Sequence, residues 1–395
     1  MFDKLKYLFG FKWFYIALFL FLSLWNFWDE ILVGRETIKF IFKNQQEVKY
    51  VDSTKGKINF IDQYKIESKD DVVIYDKEIE YIFVHPLISN LQGYKEIRGN
   101  KKNIFNLFVT ADEFKEFLNI LYDENYILVD LNDIYKQIYK EDRFKIERQD
   151  LKLPIGKKPL VLFVDDLSYN SYMLEYTSKK LVIDEFDNKI KSVINYNGKE
   201  ILTEEEEVIP IINRFVEKNP DFSYNNAKGI ISLTGYEGVF GYGTEKSIKL
   251  DEENIDTIKM LSQDIFNAQK IADKLKEQGW KFACHTYGHI NIKHYKLEFI
   301  KEDIENWFRY VANIVGPTNI FVYPYDELLD KSDERFKYLN SNGFNVFCFS
   351  NKSSNKDIFT MKDYVNINRD LISYESIKLN KKDFYKNFQN IIDFK

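Results

Sequence analysis

The sequence predicts an α/β fold in which a mostly parallel sheet closes into a distorted barrel of seven or eight strand-and-helix units. Three observations carry that prediction. Short apolar runs alternate with longer segments of helical period along most of the chain. Residues suited to chemistry follow three of the apolar runs at their carboxyl ends, where barrels of this type gather reactive side chains. The 395 residues are 45% hydrophobic and 17% aromatic, which is ample for a large core.

Taken in order, the first element is an apolar run from Trp13 to Trp28, preceded by Lys4, Lys6 and Lys12 and followed by Asp29 and Glu30. Lysines on the near side predict a cytoplasmic N-terminus, a single-pass anchor over residues 1–30 and a body on the extracellular side of the cell membrane. The run is slightly short of an ideal span, and Tyr7 to Phe11 with a snorkelling Lys12 would extend it. A secretory signal peptide is the rival, although Trp25, Phe27 and Trp28 are bulky where cleavage favours small residues. A buried core helix is a third reading. Residues 31–75 mix charged and apolar positions without a period and read as a stalk or irregular lead-in to a domain over 76–395.

Within that domain the strand candidates are Tyr81 to Val84, Tyr126 to Val129, Leu160 to Val164, Ile230 to Leu233, Phe282 to His285, Ile320 to Tyr323, Val346 to Phe349 and Val365 to Ile367. Phe114, Phe117, Leu118 and Leu121 fall on one helical face. So do Val208, Ile211, Ile212 and Phe215, and later Ile300, Ile304, Trp307, Phe308 and Val311. An open doubly wound sheet is the competing arrangement. Between about 181 and 243 the pattern is interrupted; Asp187-Asn188-Lys189 and Asn197-Gly198-Lys199 mark turns of a hairpin excursion, and the run Glu204 to Glu207 reads as the first turn of a helix.

The net charge of -6 is spread along the chain without a basic block, which argues against nucleic acid as a partner. Cys284 and Cys348 are too few for a disulfide framework and sit in apolar runs, so they read as buried thiols.

The chemistry concentrates in Asp165-Asp166 and in His285-Thr286-Tyr287-Gly288-His289. Adjacent aspartates at a strand end can be no more than a turn or cap signal. The two histidines are harder to dismiss, because the chain has only four and these stand four apart around a glycine. Two imidazoles and a carboxylate suit a divalent metal with an open coordination position, and a second carboxylate beside them can act as a base. The pattern is not a zincin helix, since Thr286 stands where that motif needs glutamate. Tyr236, Phe240 and Tyr242 lie in the glycine-rich stretch Thr234 to Thr244 and are candidate stacking platforms for a sugar. An ordinary glycine-rich loop is the alternative there.

Val164-Asp165-Asp166-Leu167, His285-Thr286-Tyr287-Gly288-His289 and Val322-Tyr323-Pro324-Tyr325 resemble the first three motifs of the polysaccharide deacetylases, the NodB-homology domain of carbohydrate esterase family 4. Asp165-Asp166-Leu167-Ser168-Tyr169, Ala227-Lys228-Gly229-Ile230, Thr234-Gly235-Tyr236-Glu237-Gly238 and Gly279-Trp280-Lys281-Phe282-Ala283 are similar in style to a Gram-positive membrane-anchored branch, as is Tyr81 to Ile88 with its histidine. The resemblance implies a NodB-type barrel and a metal, most naturally Zn2+, held by Asp166, His285 and His289. It also implies Asp165 as catalytic base, the Tyr325 backbone amide in an oxyanion hole, and Tyr323 and Pro324 beside the substrate.

The family's third-motif arginine falls at Val322, so some other group must orient Asp165. No histidine follows His294 to serve as the family's late general acid, which leaves His85 or a water as the candidate donor. The activity implied is removal of N-acetyl groups from N-acetylglucosamine-type sugars of peptidoglycan or an exopolysaccharide. A catalytically silent, glycan-binding relative is the alternative.

Overall fold

The structure is a computed structural model and describes residues 72–89, 104–140, 143–245, 255–350, 359–360 and 363–378. The predicted anchor over residues 1–30 and nearly all of the lead-in lie outside the described residues. Among the described residues no helix is long and apolar enough to cross a membrane.

Seven parallel strands form the ring: β1 (Glu80–Val84), β2 (Lys158–Asp165), β3 (Gly229–Leu233), β4 (Trp280–Cys284), β5 (Ile320–Val322), β6 (Val346–Phe349) and β7 (Val365–Asn368, continued by Asp370–Leu371). Each pairs in parallel with its neighbour in chain order. The seventh decides the architecture. Its first half pairs with β6 (Val346 with Val365), and past Arg369 its second half pairs with β1 (Asp370 with Ile82). One strand that serves two edges brings the sheet round into a nearly closed barrel, and the open doubly wound alternative is set aside. The eighth predicted strand, Tyr126–Leu128, pairs with the beginning of β2 and stands off the ring.

Strand alternation sorts side chains into two cores. Tyr81, Phe83, Val161, Phe163, Ile230, Ala283, Ile320, Val322, Val346, Cys348, Val365 and Ile367 face inward and fill the barrel. The residues between them, such as Ile82, Leu162, Ile231 and Phe321, face outward against the helices. Those helices include α1 (Ala111–Asp123), α2 (Val208–Lys218), α3 (Ile255–Glu277), α4 (Leu297–Trp307) and α5 (Glu334–Ser341). Thr110 and Glu113 form a reciprocal capping box at the start of α1, which fixes where that helix begins. The periodicity missed α3, because only Ala268, Ile271, Ala272 and Leu275 in its second half are buried, while Met260 and Phe266 face out.

The interruption is the expected hairpin excursion: Lys180–Ile183, Ile190–Tyr196 and Lys199–Thr203 make an antiparallel sheet. Asn197 and Gly198 both take positive φ, as a two-residue hairpin turn demands. The acidic run does not form a helical turn. The helix starts at Val208, and Glu207 caps it from the residue before.

Glu207 is fully buried; its Oε1 accepts from the amides of Val208 (2.7 Å) and Leu87 (3.4 Å). Burial outweighs these bonds and pushes its carboxyl up to about 8 from an ordinary 4.5. Between those values the folded chain holds a proton that the unfolded chain has lost, so this group's contribution to stability falls as pH rises through the window. Glu207→Gln keeps the neutral shape and should flatten that loss, measured as urea midpoints at the two ends of the window; an unchanged pH slope would rule it out.

Candidate active site

Asp165 and Asp166 end β2, and their neighbouring positions send them to different places. Asp165 continues the inward series of Val161 and Phe163, so its carboxylate enters the barrel beside Ser232, its partner across the β2–β3 pair. Asp166 would face the helices, but it takes a left-handed φ of 60°, which non-glycine residues adopt rarely. That twist ends the strand. The resulting carboxylate lies against His285 and His289, its two oxygens 3.9 and 3.8 Å from their Nε2 atoms.

His285 follows β4 on the inward series of Ala283. Its Nδ1 lies 2.9 Å from the carbonyl oxygen of Val322, which can only accept. The proton therefore sits on Nδ1, and the Nε2 lone pair faces Asp166. Burial lowers the His285 pKa, which favours the neutral, ligating form. His289 returns to the same point through a loop with two left-handed residues, Thr286 (58°) and His289 itself (49°).

Asp303 of α4 clasps this loop, accepting from the amides of Tyr287 and Gly288 at 2.8 Å each. The carbonyl of Tyr287 in turn accepts from Gly235 (2.9 Å) and Tyr236 (3.0 Å). Position 235 must be glycine, because a Cβ there would collide with the Tyr287 ring and with Val311.

One ligand atom from each of Asp166, His285 and His289 falls within 4.8 Å of the others, the only such three-residue grouping of His, Cys, Asp and Glu among the described residues. Ligands 2.0–2.2 Å from a tetrahedral cation stand about 3.4 Å apart; each Asp166 oxygen is within about half an ångström of that from its Nε2, and all three ligand atoms lie within 4.8 Å of one another. An unprotonated Nε2 on His285 facing a carboxylate and a second imidazole fits a cation. The donor set suits a divalent ion such as Zn2+.

The group that orients Asp165 is Arg369, which sequence reasoning missed. It stands where β7 changes partners and continues the inward series Val365, Ile367. Its Nη atoms donate to both oxygens of Asp165, each at 2.9 Å, in a bidentate pair. Its guanidinium also lies over the rings of Phe83 (4.4 Å) and Phe163 (4.7 Å). Both partners are fully buried. Burial alone would raise the Asp165 pKa; Arg369, and secondarily His285, outweigh it and hold the carboxyl at about 2. The signal was available, since inward alternation carried two steps past Val365 lands on this arginine.

Tyr325 sits in the turn after β5 with a left-handed φ of 59°, its exposed ring 4.9 Å from that of His289. His85 ends β1 level with Asp165, one step beyond the Val84–Val164 pair, and its Nδ1 donates to the Leu107 carbonyl at 3.3 Å. His294 is exposed, at the end of a short helical turn over Ile292–His294. Tyr236 is half-buried at the mouth, within electrostatic reach of Asp166.

Four expected substrate residues are placed elsewhere. Phe240 is wholly buried against Phe282, and Tyr242 is buried with its hydroxyl on the Leu181 carbonyl, so neither offers a face to a sugar. Tyr323 packs between Phe321 and Phe347, and Pro324 is buried beside it. Glycine flexibility at Gly238 and Gly241 lets that loop fold its aromatics inward rather than present them. Cys284 and Cys348 are buried thiols as expected.

Residues 250–347 match the family model for polysaccharide deacetylase, a stretch that contains His285, His289, Asp303 and the turn at Tyr325. The chain is 26% identical over 301 residues to coenzyme F(430) synthetase of Methanocaldococcus jannaschii, covering 68% of each protein. Among solved structures it is similar to Streptococcus pyogenes deacetylase PplD in complex with acetate, at 13% identity and a TM-score of 0.39, covering 78% of this chain and 100% of that one. The Bacillus anthracis protein BA0330, assigned to the polysaccharide deacetylases, gives 12% identity and a TM-score of 0.41 over 80% of this chain and 69% of that one.

Removing one member of a buried ion pair strands the other. Arg369→Met should therefore cost about 3 to 5 kcal/mol in urea unfolding, and Asp165→Asn with Arg369→Met should recover most of it. A single variant as stable as the parent would show that the pair does not anchor β7.

Proposed function

We propose that this chain, which carries a polysaccharide deacetylase domain, is a metal-dependent hydrolase removing N-acetyl groups from a cell-wall or surface polysaccharide built on N-acetylglucosamine-type sugars. One observation carries the reading: Asp166, His285 and His289 converge at the barrel mouth beside a second carboxylate held by a buried arginine. A divalent ion held by those three residues would supply Lewis-acid activation of water and of the acyl oxygen.

The chain's own groups account for the rest. Asp165 is ionised throughout the physiological range and accepts the proton of the attacking water. Two of its lone pairs go to Arg369, which fixes the plane of the carboxylate while leaving other lone pairs for the proton. Asp303 holds the loop that presents both histidines, so their lone pairs are aimed before any ligand arrives. The left-handed turn at Tyr325 supplies the backbone amide for the developing oxyanion; His85, level with Asp165 at the end of β1, can pass a proton to the departing amine only through Nε2, since its Nδ1 is turned to the Leu107 carbonyl. Removal of the acyl group then yields acetate and a free amino sugar.

A silent glycan-binding protein is the second reading, favoured by the lack of any histidine after His294. Acetate release from N-acetylglucosamine oligomers and peptidoglycan fragments decides between them. The expected result is release abolished by chelation and restored by Zn2+. His289→Ala should empty the site by elemental analysis, and Asp165→Asn should keep the metal while losing on the order of 10²-fold or more in turnover. Metal retained in His289→Ala, or wild-type turnover in Asp165→Asn, would overturn the assignments.

We also propose that Trp13 to Trp28 anchors the protein in the cell membrane with its domain outside, supported by the lysines at 4, 6 and 12 and the acidic residues at 29 and 30. The full chain should sediment with membranes through a high-salt wash and be shaved by external protease from intact cells. Recovery in the soluble fraction would reject the anchor.

A further inference from the structure

Two loops wall one side of the mouth, and they are joined in an ordered way. Ser168 Oγ meets the Thr234 carbonyl at 3.2 Å and its hydroxyl at 3.0 Å; Asn170 Nδ2 donates to the Tyr236 carbonyl at 3.4 Å. Ser171 donates from both its amide (2.5 Å) and its hydroxyl (2.9 Å) to the two oxygens of Glu237. Every link joins residues 66 apart, so the loops run side by side and extend the β2–β3 pairing beyond the sheet. Glu237 holds a left-handed φ of 64°, and its carboxylate accepts both of the hydrogen bonds that fix the residue before Tyr172.

Tyr172 is the residue this lacing delivers. It remains 48% exposed, and its hydroxyl lies within electrostatic reach of Asp166, Tyr236 and Tyr325. Tyr325 is 61% exposed, its ring 4.9 Å from that of His289 and tilted to it by 56°. Large aromatic side chains are normally drawn into the core, and this protein buries Phe240 and Tyr242 nearby. Two exposed rings beside the same polar cluster offer a surface for an apolar face. The flat C–H face of a pyranose ring has that character.

We propose that Tyr172 is a substrate-contacting residue that grips a glycan ring together with the Tyr325 side chain, and that Glu237 is the residue positioning it through Ser171. The proposal rests on the deacetylase reading for its substrate class.

The test uses the full chain in detergent with Zn2+ and an N-acetylglucosamine tetramer. Tyr172→Ala should raise KM about tenfold with kcat changed less than threefold, while Tyr172→Phe stays within twofold of the parent, since a ring face rather than a hydroxyl makes the contact. Glu237→Ala should follow Tyr172→Ala, and the double variant should be no worse than Tyr172→Ala alone, because one acts through the other. Zinc content should be unchanged in all of them. Unchanged KM in Tyr172→Ala, full additivity in the double variant, or failure of Tyr172→Phe to rescue would each overturn the assignment.

If the parent releases no acetate, the deacetylase reading fails by itself, and calorimetric titration with the same tetramer still decides Tyr172. Binding weakened about tenfold by Tyr172→Ala supports the grip. Equal binding by parent and variant, or none by either, ends it.

Discussion

The pair between Asp165 and Arg369 is the constraint on which the rest depends. Each charge is fully buried, and an isolated charge in such a place is prohibitively costly, so neither is tolerable without the other. The two lie 204 residues apart in sequence. Their meeting requires β7 to take its place in the ring, leave β6 and join β1, which is also the step that brings the sheet round on itself. Closure of the fold and orientation of the candidate base are thus one event. A barrel lacking its last strand would lose a strand and leave a carboxylate facing apolar rings.

Above that pair the backbone is bent at several points. Asp166, Thr286, His289 and Tyr325 all take left-handed φ, a conformation that costs a non-glycine residue about 1 kcal/mol or more. Strain of this kind persists only where neighbours over-determine it. The neighbours are identifiable: Asp303 on two amides of the histidine loop, Thr286 Oγ1 accepting from Ile290 at 3.0 Å, and the Tyr287 carbonyl tied to Gly235 and Tyr236. Extended strands alone cannot bring Asp166 and the two histidines to one point, since alternation sends adjacent side chains to opposite faces. The twists at the strand ends overcome that limit.

The ring was legible in the sequence because its signal is local. Each strand is a short apolar run, and all eight runs fall inside observed strands or within a residue or two of their ends. The three cluster residues were legible for a similar reason, as rare residue types at tight spacing after such runs. What escaped depends on distance. Arg369 is marked locally only by alternation carried two steps past Val365, and its role exists only once a seventh strand brings it to Asp165. Tyr172 and Glu237 likewise acquire meaning from a loop 66 residues away. Phe240 and Tyr242 misled because a glycine-rich aromatic stretch has the same composition whether its rings point out or in; positive φ at Gly238 and Gly241 turned them in. Asp303 has no sequence signal of its own; its burial, which outweighs the two amide hydrogen bonds and pushes its carboxyl up to about 6, exists only in the fold.

The orienting arginine shows how a closed barrel relaxes sequence constraints. Resemblance to the polysaccharide deacetylases places that arginine on β5, where this chain has Val322. A barrel interior is a single shared volume about one side chain across from any wall, so a guanidinium entering from any strand at the right height can reach the same carboxylate. Here it enters from β7, and the backbone carbonyl of Val322 fixes the tautomer of His285 instead. The apolar side chain at that position packs the barrel beneath, where a second guanidinium would be an unpaired charge. Moving the arginine therefore exchanges which strand bears the cost of burial without moving the point in space where the charge is needed.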